Sequence, residues 1–533
     1  MPEWLRDAAF YEIYPQSYND TNGDGIGDID GITEKLDYIK SVGFNALWIN
    51  PCFDSPFKDA GYDVRDYKKV APRYGTNSDL YRLFGEAHKR GMHVLLDLVP
   101  GHTSEEHEWF VKSKKQERNE YSDRYVWADN AFFMKGHPYI AGESERDGIY
   151  MLNFFKSQPA LNYGFGSVTE SWQMSWDSKA ATDTREAMKD VMRFWMDRGC
   201  DGFRVDMADS LVKDDTEDKH YTGLIWKNVR EMFDKDYPDC ALVSEWNNPA
   251  LSLNSGFHMD FTLDNPHTGY RSLLRDYRDV PAPAGTSNIN SDKPDLSKDH
   301  SYFRKDGHGD ITRFTEKYMY HYEKTVGKGY ISIISGNHDT PRLRRTLTPV
   351  EMKLYYAFMY TMPGVPFMYY GDEIGMRYLN IPTKEGGYGR TGTRTPMQWD
   401  HEKNYGFSTA FPEDLYLPQD SSADAPTVLD EEKDPDSLLS SVKALLKLRH
   451  ENTDLQADGS FAIVHAEKND PLFVYKRGNF FCAVNPSGED RDISSLDNIN
   501  ENNIIFSIGN AFTEAGKLTL CGQSFALIRT EGD

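Results

Sequence analysis

Four carboxylates close short apolar runs in this 533-residue chain. Asp97 follows His93–Leu96, Asp206 follows Gly202–Val205, Glu245 follows Ala241–Val243, and Asp339 follows Tyr330–Ile334. Two have histidines close by, His102 and His338. Arg204 stands two residues before Asp206, and on an extended chain alternate side chains share a side. Its guanidinium therefore projects with that carboxylate and favours the charged form. Converging carboxylates with different protonation states are what acid–base and nucleophilic work requires. The pattern itself says only that the carboxylates converge, since a lone strand-end acid serves about as often as a helix N-cap.

A second cluster has the spacing of a cation loop. Asp20, Asn22, Asp24, the Ile26 carbonyl and Asp28 alternate oxygen donors with small residues, as an EF-hand loop begins. The twelfth position is Gly31, not glutamate, so the loop is not an EF-hand. The reading is a compact structural Ca²⁺ or Mg²⁺ site, with a metal-free cluster of Asx turns as the alternative.

The elements that must carry these residues repeat one phrase: amphipathic helix, glycine, apolar strand, acid. Ile32, Leu36 and Ile39 mark a helix face ended by Gly43 and followed by Ala46–Ile49. Leu80, Leu83, Phe84 and Ala87 lead through Gly91 to Asp97. Met188, Val191, Met192 and Trp195 lead through Gly199 to Asp206, with Asp183 and Glu186 spaced as a capping box. Leu224, Ile225, Val229, Met232 and Phe233 precede Glu245, and Tyr330–Ile334 runs into Asn337-His338-Asp339. Such alternation predicts parallel strands covered by helices, in an open sheet or a closed barrel. The placement of the acids favours the (β/α)8 TIM barrel, whose strand C-termini converge on one face.

The bulk composition narrows the partners. A formal net charge of −24 disfavours nucleic acid and suits a neutral substrate. Five cysteines without CxxC or Cys/His spacing argue against a disulfide framework or zinc site. The amino terminus has no basic start followed by an apolar stretch, and no run is long enough to span a bilayer. A cytoplasmic location without membrane association is expected, and the sequence carries no reading of oligomeric state.

DLVPGHTS (97–104), GFRVDMADS (202–210), SEW (244–246) and SGNHD (335–339) together resemble glycoside hydrolase family 13, the α-amylase superfamily. GYDVRDY, QPALN, GVPFMYYGDEIGM and GTRTPMQWD extend the resemblance from Tyr11 to about Trp399. The last is similar to the oligo-1,6-glucosidase, α-glucosidase and trehalose synthase branch. The resemblance implies a nucleophile at Asp206 with Arg204 beside it, an acid/base at Glu245 and a transition-state stabiliser at Asp339. It implies sugar-binding roles for His102 and His338, and a structural one for Asp97. It also implies that Asp63 and Arg394 bind the non-reducing end and wall off the pocket, with Tyr62 as a stacking face; a surface ion pair is the plain alternative for that charged pair. A structural cation in the Asp20–Asp28 loop is implied too. Gly101 stands where the family commonly has asparagine, which removes a ligand from the usual family calcium site. Met207 matches neither the α-1,6 nor the α-1,4 pattern.

Residues 1–103 and 173–452 are thus expected to form the barrel, 104–172 a small domain inserted after the third strand, and 453–533 an antiparallel β-sandwich. The polar stretch 280–309 reads as a further insertion. The implied function is a retaining, exo-acting α-glucosidase on short oligosaccharides. A trehalose synthase-like isomerase or transglycosylase shares the same acids, and a non-catalytic transporter-associated subunit is disfavoured because all three acids are present.

Overall fold

The computed structural model describes residues 1–129, 136–263, 268–275, 300–386, 389–494, 496, 500–514 and 516–530. Its centre is a parallel barrel of β1 Phe10–Ile13, β2 Ala46–Ile49, β3 His93–Leu98, β4 Gly202–Val205, β5 Ala241–Ser244, β6 Met259–Thr262, β7 Tyr330–Ile333 and β8 Phe367–Tyr369. The hydrogen-bonded order is β7-β6-β5-β4-β3-β2-β1-β8. The Ser335 amide donates to the Phe367 carbonyl (2.9 Å), which brings β7 to β8 and closes the ring. The strands are buried almost end to end, so they read as apolar runs rather than alternations. Phe10 stacks on Phe367 with ring centroids 4.2 Å apart, and Phe261 meets Phe367 edge-on, filling the core with aromatic surface.

Strand entry is set by local chemistry. Gly202 opens β4 at φ +130°, and a Cβ there would lie 1.9 Å from the Ala241 carbonyl oxygen of the neighbouring strand. No other residue lets β4 and β5 lie side by side at that point. The covering helices show the expected faces: Leu80, Leu83, Phe84 and Ala87 are buried on Asn77–Lys89, and Met188, Val191, Met192 and Trp195 on Lys179–Met196. Two local expectations differ. The first helix breaks at Lys35 into Ile29–Glu34 and Leu36–Val42. The helix expected to begin with Asp183 is capped one turn earlier by Ser178, whose side chain accepts from the Ala181 amide, leaving Asp183 inside to pair with Lys179.

Between β3 and Lys179, the chain forms the helix Glu108–Ser113 and an antiparallel sheet with Ile149–Met151 between Trp127–Ala128 and Tyr139–Ala141. This segment has its own small core of Val126, Ala128, Ile149, Met151, Ala160 and Phe165. It returns to the barrel through the Leu161 amide, which donates to the Gly101 carbonyl (3.1 Å). After the helix Leu438–Glu451, a five-stranded antiparallel sheet packs against a three-stranded one. Period-two alternation divides its labour: Phe473 and Tyr475 join the barrel core, while Leu472 and Val474 face Ile493, Leu518 and Leu520 of the second sheet. Most of the polar insertion expected at 280–309 lies outside the described residues. The chain resumes at His300, with Tyr302 and Phe303 buried.

Candidate active site

Three of the four expected acids do leave the carboxyl ends of β3, β4 and β5. Asp97 is the penultimate residue of β3 and pairs in register with Arg204 of β4, whereas Asp206 and Glu245 stand one residue beyond their strands. Asp339 lies six residues past β7, on the loop that follows. Exposure separates their roles. The Asp97 side chain is sealed (0%), whereas Asp206 (11%), Glu245 (22%) and Asp339 (33%) open toward solvent and can meet a ligand.

Arg204 organises the group. Its Nη1 donates to Asp97 Oδ1 (2.9 Å) and Asp206 Oδ1 (3.0 Å), and its Nη2 pairs with Glu245 Oε2 (2.8 Å). One fully buried guanidinium thus holds three carboxyls, and its planar fork suits that task where a lysine would not. Glu245 Oε2 also accepts from the Met207 amide (3.1 Å). Burial pushes the Glu245 carboxyl up to about 8, with Arg204 opposing and Asp206 and Asp339 adding to the rise. Burial also raises Asp206, to about 7, against the pull of Arg204. The order matters: Glu245 is the better holder of a proton, and Asp206 the first of the pair to ionise.

Asp339 sits among cations. Its Oδ1 accepts from Arg390 Nη1 (3.0 Å) and Arg394 Nη2 (2.6 Å). Burial would raise its pKa, but His338, Arg390 and Arg394 more than offset that and hold it well below the usual carboxylate range. Since burial keeps His338 itself neutral, the two guanidiniums are the charges that matter.

Asp63 and Arg394, expected to bind the non-reducing end together, are held by different partners. Asp63 is fully buried and turned into its own loop, accepting from Ser55 Oγ (3.0 Å) and the amides of Lys58 (2.9 Å) and Asp59 (3.0 Å). The acid that reaches an arginine is Asp59: Arg390 Nη2 donates to its Oδ1 (3.0 Å), and Gln158 Nε2 to its Oδ2 (2.8 Å). Arg394 instead grips Asp339 and the His338 carbonyl (2.8 Å). Asp59 and Asp63, like Arg390 and Arg394, are four apart in loops, where spacing carries no facing information.

The histidines and Tyr62 are held by protein. His338 Nδ1 lies 2.8 Å from Glu12 Oε1, and its Nε2 lies 2.6 Å from the Tyr62 hydroxyl. Tyr62 stacks on His338 and also donates to Asp97 Oδ2 (3.1 Å), so its ring is committed to the site wall. His102 uses both nitrogens, Nε2 to the Tyr62 carbonyl (2.9 Å) and Nδ1 with Asn153 Nδ2 (2.9 Å). Burial lowers its pKa to about 4, so it is neutral. Asn153 occupies the space that Gly101 leaves: a Cβ on Gly101 would lie 3.0 Å from its Nδ2. Its Oδ1 accepts from Lys213 Nζ (3.1 Å), which also donates to the Ser210 carbonyl (2.8 Å). A side-chain ammonium therefore ties the inserted segment to the loop after β4.

Residues 12–458 match the family described as alpha amylase, catalytic domain. The chain belongs to the α-amylase family. This α-amylase-family chain is 34% identical over 455 residues to the trehalose synthase/amylase TreS of Mycolicibacterium smegmatis, spanning 79% of this chain and 71% of that one. It is 31% identical over 576 residues to the oligo-1,6-glucosidase of Heyndrickxia coagulans, spanning 95% and 94%. Among solved structures it is similar to a mutant of the trehalulose synthase MutB, with a TM-score of 0.79 and 27% identity over 99% of this chain and 100% of that one. A MutB mutant solved with the substrate sucrose gives a TM-score of 0.78 at 26% identity, with 99% and 100% coverage. The enzyme is therefore a glycoside hydrolase or isomerase of the α-amylase family, with a carbohydrate substrate.

Two features bear on how this α-amylase-family enzyme is built around its site. Met207 adopts φ +42°, a left-handed conformation costly for a branched or long side chain, and that turn aims its amide at Glu245. The Asp20–Asp28 loop closes on itself. Asp20 accepts from the amides of Asn22, Gly23 and Gly25 and from Ser408 Oγ, and Asp28 from Thr21 and Gly31. The Asn22 and Asp24 side chains cap the amides of Asp24 and Ile26. The donors are hard oxygens of the kind Ca²⁺ takes, but among the described residues no three His, Cys, Asp or Glu side chains group as a metal cage. In this structure the loop is a ladder of Asx turns.

Proposed function

We propose that the enzyme is a retaining, exo-acting α-glucosidase on short α-linked gluco-oligosaccharides. The observation that carries this is the single guanidinium of Arg204 holding Asp206 and Glu245 side by side, with the proton order set by burial. Retaining enzymes use two carboxyls about 5–5.5 Å apart, one as nucleophile and one as acid then base. Asp206 attacks the anomeric carbon while Glu245 delivers its proton to the leaving oxygen. The Asp206–glucosyl ester then forms, and Glu245, now ionised, takes a proton from water as that water displaces Asp206. Asp339, kept ionised by Arg390 and Arg394, stabilises positive charge at the ring. The Asp59–Arg390 pair supports exo action, because a buried charged wall beside Asp339 resists the passage of longer chains.

The likeness to TreS and MutB favours one second reading: a sugar hydroxyl takes the place of water and the product is an isomeric disaccharide. Incubation with maltose, isomaltose and sucrose, with products separated by chromatography, distinguishes them. Glucose as the main product supports the glucosidase; a new disaccharide of unchanged mass supports the isomerase. A cytoplasmic setting is part of the proposal, since all five cysteines are free, as suits a reducing compartment, and among the described residues no helix is long and apolar enough to cross a membrane. Cation binding by the Asp20–Asp28 loop is proposed on its hard-oxygen donors alone.

A further inference from the structure

We propose that Asp260 is a positioning residue for the acid/base: from β6 it clamps the backbone on both sides of Glu245 and so sets where that carboxyl meets the leaving oxygen. The proposal rests on the glucosidase reading above. Asp260 is fully buried and pairs in register with Ser244, the residue before Glu245. Its Oδ1 accepts from Ser244 Oγ (2.6 Å) and from the Trp246 amide (3.2 Å), the residue after Glu245. Its Oδ2 accepts from the Asn248 amide (2.9 Å). Three donors from one five-residue stretch thus converge on a single carboxylate of the next strand.

The stretch needs such a hold. Asn247 sits at φ +60°, a left-handed turn for a non-glycine residue, with its side-chain oxygen taken by the Leu263 amide (2.9 Å). Without the carboxylate, the amides of Trp246 and Asn248 lose their acceptor and the turn loses its anchor. An apolar side chain would serve a β6 core position, as Met259 and Phe261 do, at no desolvation cost. Burial pushes the Asp260 carboxyl up to about 7, the mark of that cost. Asp260 is fully buried behind the clamped stretch and acts through Glu245. A shift of an ångström in that carboxyl weakens proton delivery more than it weakens attack by Asp206, whose backbone leaves β4 outside the clamped stretch, although Arg204 bonds both carboxyls.

The test compares leaving groups that need a proton with one that does not. kcat/KM for maltose and for 4-nitrophenyl α-glucoside is measured for wild type, Asp260→Asn and Ser244→Ala, with active sites titrated by a mechanism-based inactivator and Tm recorded. General-acid assistance is worth on the order of 10²–10⁴-fold, so D260N is expected to lose roughly 30-fold or more on maltose and less than about threefold on the aryl glucoside. S244A, which removes one of the three donors, should shift the same ratio in the same direction by less, and it carries the test if D260N does not fold. Equal losses on both substrates, tracking Tm, would overturn the positioning role. A wild-type enzyme silent on both substrates would instead overturn the glucosidase reading beneath it.

Discussion

Removing the charge of Arg204 should move the enzyme's pH profile, not merely lower it. Its Nη1 lies 3.0 Å from Asp206 Oδ1 and its Nη2 lies 2.8 Å from Glu245 Oε2. Two unit charges at that separation in an effective dielectric of about 20 interact by roughly 5–6 kcal/mol, a ceiling of about four pK units. Even half of that would raise both carboxyls by about two units. The proposed mechanism needs Asp206 ionised and Glu245 protonated, so wild-type kcat/KM should form a narrow bell whose limbs lie near about 7 and about 8. In Arg204→Gln both limbs should move alkaline, and activity at pH 7 should fall by on the order of 10²-fold from loss of ionised Asp206 alone. Arg204→Lys keeps a cation but not the fork, so its bell should stay near the wild-type position at reduced height. The assay is kcat/KM against an aryl α-glucoside from pH 5 to 10, normalised to folded enzyme. A Gln variant with an unmoved bell would refute the claim that Arg204 sets the ionisation of the pair.

Other outcomes follow from the same geometry. Glu245 carries a folded-state pKa of about 8 against an ordinary 4.5, so its contribution to stability is full below 4.5 and lost as pH rises through about 8; Glu245→Gln should therefore raise Tm relative to wild type at pH 9 and not at pH 4. Asp63→Ala strands two buried donors and one part-buried donor and should cost roughly 2–4 kcal/mol in denaturant unfolding while leaving substrate-length preference intact. Asp59→Ala should do the reverse, weakening maltose more than longer maltodextrins. If the Asp20–Asp28 loop takes up Ca²⁺, chelation lowers Tm in wild type and not in Asp24→Ala; equal Tm values with and without chelator would leave the loop as the Asx ladder seen here.

Much of the barrel was legible because helix and strand periods differ and because glycines such as Gly43 and Gly199 end helices where expected. β1, β6 and β8 were not legible. β1 and β6 each bury a carboxylate, Glu12 and Asp260, which breaks the apolar run that marks a parallel strand, and β8 has only three residues. The same interruption hid two residues of the site's architecture: Glu12 behind His338 and Asp260 beneath Glu245. The convergence of Asp97, Asp206 and Glu245 was readable because strand ends fix their facing, whereas Asp339 stands on the loop after β7. Asp59 and Arg390 were not, because they stand on loops whose turns decide which of two like residues faces the pocket. Lys213 and Asn153 were equally silent, since their pairing depends on the space left by Gly101.

In the proposed mechanism Asp206 becomes covalently glucosylated while Glu245 serves as acid and base. Incubation with 5-fluoro-α-glucosyl fluoride, followed by intact-mass measurement and peptide mapping, tests it directly. The expected result is one added fluoroglucosyl group per chain, on the peptide carrying Asp206, with loss of the label in Asp206→Asn. A label on any other carboxylate, or an unlabelled chain that turns over α-glucosides to release β-glucose first, would contradict it.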